Sequence, residues 1–282
     1  MEKPISKRVF GQTGLHVTCV GLGGEGVLRT YGKEPAAKEV IETAVKQGIA
    51  YFDSAQAYAG SQAYLGHFWH AHAGLRQDIF QTSKSARRDK KGALADLDNS
   101  LEIMGVKYLD LWQIHDVRSE TDLQAIEAPG GALEAFLEAR DKGKVRFIGV
   151  TGHNDPDILT RAVQRWPVDT VLMPVNPVEG VIGGFLDVTL PAALEKGLAV
   201  IAMKVLGASH YLAPEAEITP ELLIKYALSH DVSLAIVGCS NPQEVETLAR
   251  VGRAFSPFSA KELQEIESFF QPAARKLAYY RG

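Results

Sequence analysis

Leu94-Ala95-Asp96-Leu97-Asp98-Asn99-Ser100-Leu101-Glu102-Ile103-Met104, then Gly105-Val106-Lys107-Tyr108, then Leu109-Asp110-Leu111-Trp112-Gln113-Ile114-His115 sets out the repeating unit of this chain. The first part spaces its apolar residues at i, i+3 and i+4, which gives one face of a helix. The last part is a short, nearly continuous apolar run, the pattern of a strand covered on both faces. Working outward, further runs of this kind occur at Cys19–Gly21, Ala50–Asp53, Ile79–Ser83, Phe147–Val150, Thr170–Val175, Ala199–Met203 and Leu234–Cys239, predicting eight strands in all. Helical spacing recurs at Ala37–Gln47, Leu133–Lys142, Leu159–Arg165, Phe185–Lys196, Glu221–Ser229 and Val245–Ala254, with an extra C-terminal helix over Ala260–Phe270. Gly48, Gly143 and Gly197 close three of these helices, as glycine does at a C-terminal cap. A small hairpin precedes them, Lys7–Phe10 and Leu15–Thr18 around the turn Gly11-Gln12-Thr13-Gly14. Strands separated by helices pair in parallel, because parallel neighbours need a crossover. Such units form either a doubly wound open sheet or a closed (β/α)8 barrel. The count of eight and the placement of polar residues at strand ends favour the barrel.

Bulk properties fit that architecture. A chain of 282 residues suits one barrel domain spanning 1–282. Hydrophobic residues make up 46% and charged residues 23%, close to the globular average. The net charge of −4 argues against nucleic acid or an anionic membrane, which call for a basic face. No apolar run reaches the roughly 20 residues that span a bilayer. Met1-Glu2-Lys3-Pro4 has no apolar stretch of a secretory leader, and Cys19 and Cys239 lie outside any paired spacing. The expected setting is therefore a reducing cytoplasm.

Two patterns invite readings that their contexts do not support. Gly21-Leu22-Gly23-Gly24-Glu25-Gly26 matches a dinucleotide fingerprint, but Gly32 and Pro35 follow, and helix is expected only from about Ala36. A true fingerprint opens directly into its helix. The glycines more simply permit a close backbone approach at a strand end. His67, His70 and His72 suggest a metal, yet on a helix His70 and His72 diverge and no carboxylate completes a set. No metal site is expected.

Asp53 ends the second predicted strand and Tyr58 lies five residues on; Lys84 follows the third strand, and His115 ends the fourth. In a parallel barrel these ends gather on one face, where active sites form. Singly, each has a plain alternative: Asp53 a cap, Tyr58 a surface aromatic, Lys84 a solvated charge, His115 a core histidine. Together, converging on one face, they are less easily dismissed than singly.

Phe52-Asp53-Ser54-Ala55-Gln56-Ala57-Tyr58, Thr82-Ser83-Lys84 and Leu109–His115 resemble the aldo-keto reductase family. The likeness runs from Phe10-Gly11-Gln12-Thr13-Gly14-Leu15 to Ile236-Val237-Gly238-Cys239-Ser240-Asn241-Pro242. It implies a (β/α)8 barrel and hydride transfer between NADP(H) and a small-molecule carbonyl substrate, with Asp53, Tyr58, Lys84 and His115 as the catalytic residues. In the chemistry this implies, hydride reaching the carbonyl carbon leaves charge on oxygen that must be stabilised and protonated. A tyrosine pKa near 10 is high for that task. The adjacent Lys84 ammonium, held by Asp53, would lower that of Tyr58 by about 1–3 units, while His115 orients the substrate oxygen. Cofactor contacts carried over by the resemblance fall on Gly24, Asp53, Thr151, Gly152, Leu172, Met203, Lys204, Leu206, Gly238, Cys239, Ser240, Asn241 and Glu244. Several depart from the family pattern. Gly152 stands for a common Asn, with Asn154 a possible substitute; Leu172 stands for Gln, and Met203 for a stacking aromatic. Lys204 is either a phosphate contact or a solvated charge. Gly238 and Glu244 replace cations that grip a 2′-phosphate, and a carboxylate repels that phosphate, which points to NAD(H) or dual use. Two other readings stay open: a non-catalytic nucleotide-binding protein, and a lyase using Lys84 as a Schiff base. Glu25 and Trp112 are candidates for the pocket mouth. Substrate identity and oligomeric state are not legible.

Overall fold

The computed structural model describes residues 3–282; Met1 and Glu2, the start of the stretch read for a leader, lie outside the described residues. Alternate residues of each strand decide the architecture. On the strand Ala199–Met203, Ala199 and Ile201 belong to one apolar cluster while Val200 and Ala202 belong to another. The first cluster fills the inside of a ring of strands, and the second lies between that ring and the helices. Both faces are covered, which is why the runs read as continuously apolar.

The hairpin strands β1 (Lys7–Val9) and β2 (His16–Thr18) pair antiparallel. The barrel strands are β3 (Val20–Gly26), β4 (Tyr51–Phe52), β5 (Phe80–Ser85), β6 (Leu109–Ile114), β7 (Val145–Thr151), β8 (Thr170–Pro174), β9 (Ala199–Met203) and β10 (Leu234–Cys239). They close in the order β10-β3-β4-β5-β6-β7-β8-β9, every pairing parallel. This is the eight-stranded (β/α)8 barrel expected from the sequence. Phe10, just past β1, enters the barrel interior and packs against Phe80 and Tyr51, with ring centroids 5.0 and 6.2 Å away. The hairpin side of the barrel is thereby filled with rings, and polar chemistry is left to the opposite end.

The main helices after the strands are α1 (Glu34–Lys46), α2 (Ser61–Ala71), α3 (Lys90–Met104), α4 (Glu120–Glu127), α5 (Ala132–Asp141), α6 (Pro156–Arg165), α7 (Pro177–Ile182), α8 (Leu190–Glu195), α9 (Pro220–Leu228) and α10 (Pro242–Ala254). Then follow α11 (Ala260–Phe270) and α12 (Ala274–Leu277). Three differences from the sequence expectation have physical reasons. β3 runs through the glycine-rich stretch instead of stopping at Gly21, because Gly23 and Gly26 pair with Gly238 and Cys239 of β10. A β-carbon on Gly23 would lie 2.7 Å from the Gly238 nitrogen. Pro35 does not delay α1 but sits in its first turn, where its missing N–H costs nothing. The expected helical segments do not include α2, α4, α7 or α12. The last three are short, eight, six and four residues, and α2 is buried around most of its surface instead of along one face. Among the described residues, no helix is long and apolar enough to cross a membrane.

Candidate active site

Beyond the C-terminal ends of β4, β5 and β6 the barrel interior turns polar. Asp53 follows β4, His115 follows β6, and Lys84 lies within β5 rather than after it. Lys84 is fully buried, and its ammonium donates to both Asp53 carboxylate oxygens at 2.7 and 2.6 Å and to the Ser54 carbonyl at 2.8 Å. All three of its N–H groups are thus used. Thr82 adds a fourth bond to the cluster, from its hydroxyl to Asp53 at 2.9 Å.

Tyr58 reaches this pair from the loop before α2. The Lys84 ammonium lies 4.6 Å from the centre of its ring, and the His115 imidazole meets that ring edge-on at 5.6 Å. Gly24 abuts the same ring: a β-carbon there would come within 2.8 Å of Tyr58 and of the Asp53 carbonyl. The structure thus gives Gly24 a packing reason for being glycine. Arg29, which carries no sequence signal, stands over Tyr58 with its guanidinium 5.0 Å from the ring centre and pairs with Glu25 at 2.8 Å.

The electrostatics correct one expectation. Burial, followed by the Asp53 and Glu25 carboxylates, pushes the Tyr58 phenol well above its usual range. The ammonium expected to lower it is neutralised by Asp53 at hydrogen-bonding distance, so the pair presents little net charge. Burial likewise lowers the Lys84 pKa against the opposing pull of Asp53. Burial, with Lys84 second, lowers His115 to about 3, and its imidazole is neutral at pH 7. Tyr58 and His115 are therefore both uncharged hydrogen-bond donors.

The segment carrying His115 is clamped. Arg88 donates to the His115 and Asp116 carbonyls at 2.8 and 2.7 Å, while its other face binds Asp122. Asp116 holds a left-handed backbone at φ 57, its N–H bonded to the Thr151 hydroxyl at 2.8 Å. Its carboxylate meets His153 at 3.2 Å and Arg118 at 2.6 Å. Apart from Thr151, none of these partners stands out in the sequence, because each acts through the fold rather than through a motif.

The remaining candidates sit around β7 to β10. Thr151 and Leu172 are buried, and Met203 packs on the interior cluster. Gly152 abuts Leu159, where a β-carbon would lie 3.1 Å away; Asn154 lies beside Gly282 at the tail. Lys204 is left-handed at φ 56 with its ammonium 5.9 Å from the Tyr280 ring, and Leu206 is partly buried nearby. Gly238 admits the Glu25 backbone, and burial pushes the Cys239 thiol up to about 12. The α10 N-terminus is closed by its own side chains. Glu244 accepts from the Ser240 N–H at 2.7 Å and the Asn241 amide at 2.9 Å, while Asn241 accepts from the Glu244 N–H at 3.0 Å. Trp112 stacks on Phe136 with ring centroids 3.6 Å apart and faces the helices, so it does not line the mouth. His72 stacks on Phe68 at 4.5 Å, and the described residues contain no group of three or more ligands able to hold a metal.

A closed parallel barrel whose polar side chains collect at one end defines the class of (β/α)8 enzymes. Comparison with known proteins narrows it: the aldo/keto reductase family model matches residues 19–220. The chain belongs to that family, a family of oxidoreductases. L-galactose dehydrogenase from Arabidopsis thaliana is similar at 28% identity over an alignment of 311 residues, covering 95% of each chain. In fold, the holo form of an aldo-keto reductase from Bacillus halodurans superposes with a TM-score of 0.78 at 22% identity, covering 94% of this chain and 96% of that one. An aldo/keto reductase from Klebsiella pneumoniae in complex with NADP and acetate gives 0.76 at 21% identity, covering 95% and 96%.

Proposed function

We propose that the protein interconverts a carbonyl and an alcohol with a nicotinamide dinucleotide, Tyr58 exchanging the proton with the substrate oxygen. The observation that supports this most is the buried Asp53–Lys84 pair set 4.6 Å from the Tyr58 ring, with neutral His115 at its edge. When bound, the dinucleotide donates or accepts hydride at the substrate carbon. His115 orients the oxygen by hydrogen bonding, and Tyr58 supplies the proton as charge builds there. Asp53 holds Lys84 charged in a dry site beside the Tyr58 ring.

The residues around β7 to β10 fit a dinucleotide. Thr151 accepts from Asp116 and keeps its own proton to donate to a carboxamide. Lys204 has no carboxylate partner among the described residues and suits a phosphate. Family membership and the NADP-bound Klebsiella neighbour favour NADP(H), whereas Gly238 and Glu244 favour NAD(H) or use of both. The three acceptors on Lys84 argue against a Schiff base, since a fully hydrogen-bonded ammonium has no free lone pair. The test follows nicotinamide absorbance with aldehydes, ketones and sugars (L-galactose among them, after the relative's name), using NADPH and NADH side by side. Carbonyl-dependent oxidation is expected. Its absence across the panel, with borohydride trapping an adduct on Lys84, would overturn the reading in favour of the lyase.

A further inference from the structure

The Glu25–Arg29 pair lies beside the proton donor and takes no part in the chemistry above. It bears on which carbonyl compound the site accepts, and so rests on the reading just given. Glu25 follows Gly24, the residue pressed against Tyr58 and Asp53, and lies in β3. Arg29 ends the single turn Val27–Arg29 and lays its guanidinium 5.0 Å from the Tyr58 ring centre. The two side chains meet at 2.8 Å and stay about half exposed, 46% and 47%. A planar fork of donors and a carboxylate acceptor therefore stand open to solvent within reach of a molecule resting on Tyr58.

The charge balance of the mouth narrows what that molecule can be. Lys84 is matched by Asp53 at 2.6 Å, Arg118 by Asp116 at 2.6 Å and Arg29 by Glu25 at 2.8 Å. Burial lowers the pKa of both imidazoles, that of His115 to about 3, and Asp116 opposes it at His153. A carboxylate that approached Arg29 would face Glu25 as well, and an ammonium that approached Glu25 would face Arg29, so neither gains net attraction. A hydroxyl both donates and accepts, and it can satisfy the pair without leaving a charge unmatched. We propose that Glu25 and Arg29 determine specificity by gripping a hydroxyl next to the reacting carbon, so that neutral α-hydroxy carbonyl compounds are selected over carboxylates and plain aldehydes.

The experiment compares kcat/KM for glyceraldehyde with that for propanal, which has the same chain length without hydroxyls, and for succinic semialdehyde with that for butanal. The wild-type protein is expected to favour glyceraldehyde at least about tenfold, the worth of one charge-assisted hydrogen bond. Glu25→Gln and Arg29→Gln each bring that ratio near one, and Arg29→Lys, which keeps the charge and loses the fork, gives an intermediate ratio. Glu25→Gln also leaves Arg29 unmatched, so succinic semialdehyde gains on butanal by about fivefold, an advantage that salt erodes. A glyceraldehyde ratio that stays within twofold of wild type in both Gln variants overturns the proposal, as does a wild-type preference for succinic semialdehyde over butanal. Propanal turnover separates the two claims. If propanal is reduced and the ratios do not move, only the role of this pair is lost; if no carbonyl compound is reduced with either cofactor, the enzymatic reading falls first.

Discussion

The two halves of the barrel mouth are built on opposite plans. Where β3 to β6 end, the charges are paired, with Asp53 and Lys84 buried, and the rings of Tyr58 and His115 are locked against that pair. Where β7 to β10 end, the polar groups are dispersed: Thr151 on a neighbouring backbone N–H, Lys204 over Tyr280, Glu244 on its own helix. The first half constrains chemistry, since each group fixes the charge or orientation of the next. The second constrains only shape, and shape tolerates substitutions such as Met203 or Leu172. Breaking a residue of the first half should therefore cost rate or stability outright, whereas a change in the second should alter which dinucleotide is held.

The largest effect is expected at Tyr58. Tyr58→Phe should lower kcat at least about a hundredfold, within the range for losing a proton donor, while the dissociation constant for the dinucleotide, read by fluorescence titration, stays put. Retention of more than a tenth of the wild-type rate would remove Tyr58 from its role, and a parallel loss of dinucleotide binding would erase the distinction between the halves.

The two lysines sharpen the same contrast in stability. Lys84→Met leaves the Asp53 carboxylate buried without its cation, which costs about 3–5 kcal/mol. Adding Asp53→Asn should recover part of that loss, because the orphaned charge goes too. Lys204→Met on the other half has no ion pair to break and should stay within about 0.5 kcal/mol. Urea denaturation of the four proteins reads these values; equal losses at both lysines would refute the idea of a paired half and a dispersed half.

His115 gives the contrast a pH dependence. Its folded-state pKa is depressed to about 3, against about 6.5 for a free imidazole. The unfolded chain thus binds the proton first as pH falls. Burial of the neutral ring is fully tolerated above about pH 6.5, and stability is lost between there and pH 3, reaching about 2 kcal/mol at pH 5. His115→Phe should flatten that portion of the stability curve relative to wild type. A curve that keeps the same slope in the variant would show that His115 is not held neutral.

The same division governs how much of the molecule could be read from sequence. The strands were legible because a barrel covers both strand faces and leaves continuous apolar runs. The convergence of Asp53, Tyr58, Lys84 and His115 was legible because a parallel barrel gathers the C-terminal ends of its strands on one face. The expected lowering of the phenol pKa fails for a three-dimensional reason: the Asp53 carboxylate bonds the ammonium at 2.6 Å, whereas the Tyr58 ring centre lies 4.6 Å from it, and sequence spacing does not show which partner wins. Arg29 and Arg88 left no trace at all, since they reach the site from a turn and a loop whose course only the fold determines. Trp112, in the middle of a motif, points to Phe136 because odd and even positions of β6 face opposite sides, and the strand's phase was not fixed beforehand.

A smaller effect than at Tyr58, Lys84 or His115 is expected at Glu244, where the dispersed half does have one organised feature. Its carboxylate accepts from the Ser240 N–H and the Asn241 amide, placing a negative charge at the N-terminus of α10. Helix N-termini attract anions because their first N–H groups lack partners, and here the protein supplies the anion itself. A 2′-phosphate brought to the same end would meet that carboxylate instead of free N–H groups. Glu244→Ala should therefore raise the kcat/KM for NADPH relative to NADH by about tenfold, or about 1.4 kcal/mol. It should also cost about 0.5–1 kcal/mol of stability through the lost cap, and the two dissociation constants should move with the ratio. Two results would count against it. An unchanged ratio would place the phosphate elsewhere, and a wild-type preference for NADPH above about a hundredfold would require a cation that outweighs Glu244, with Lys204 the first to substitute.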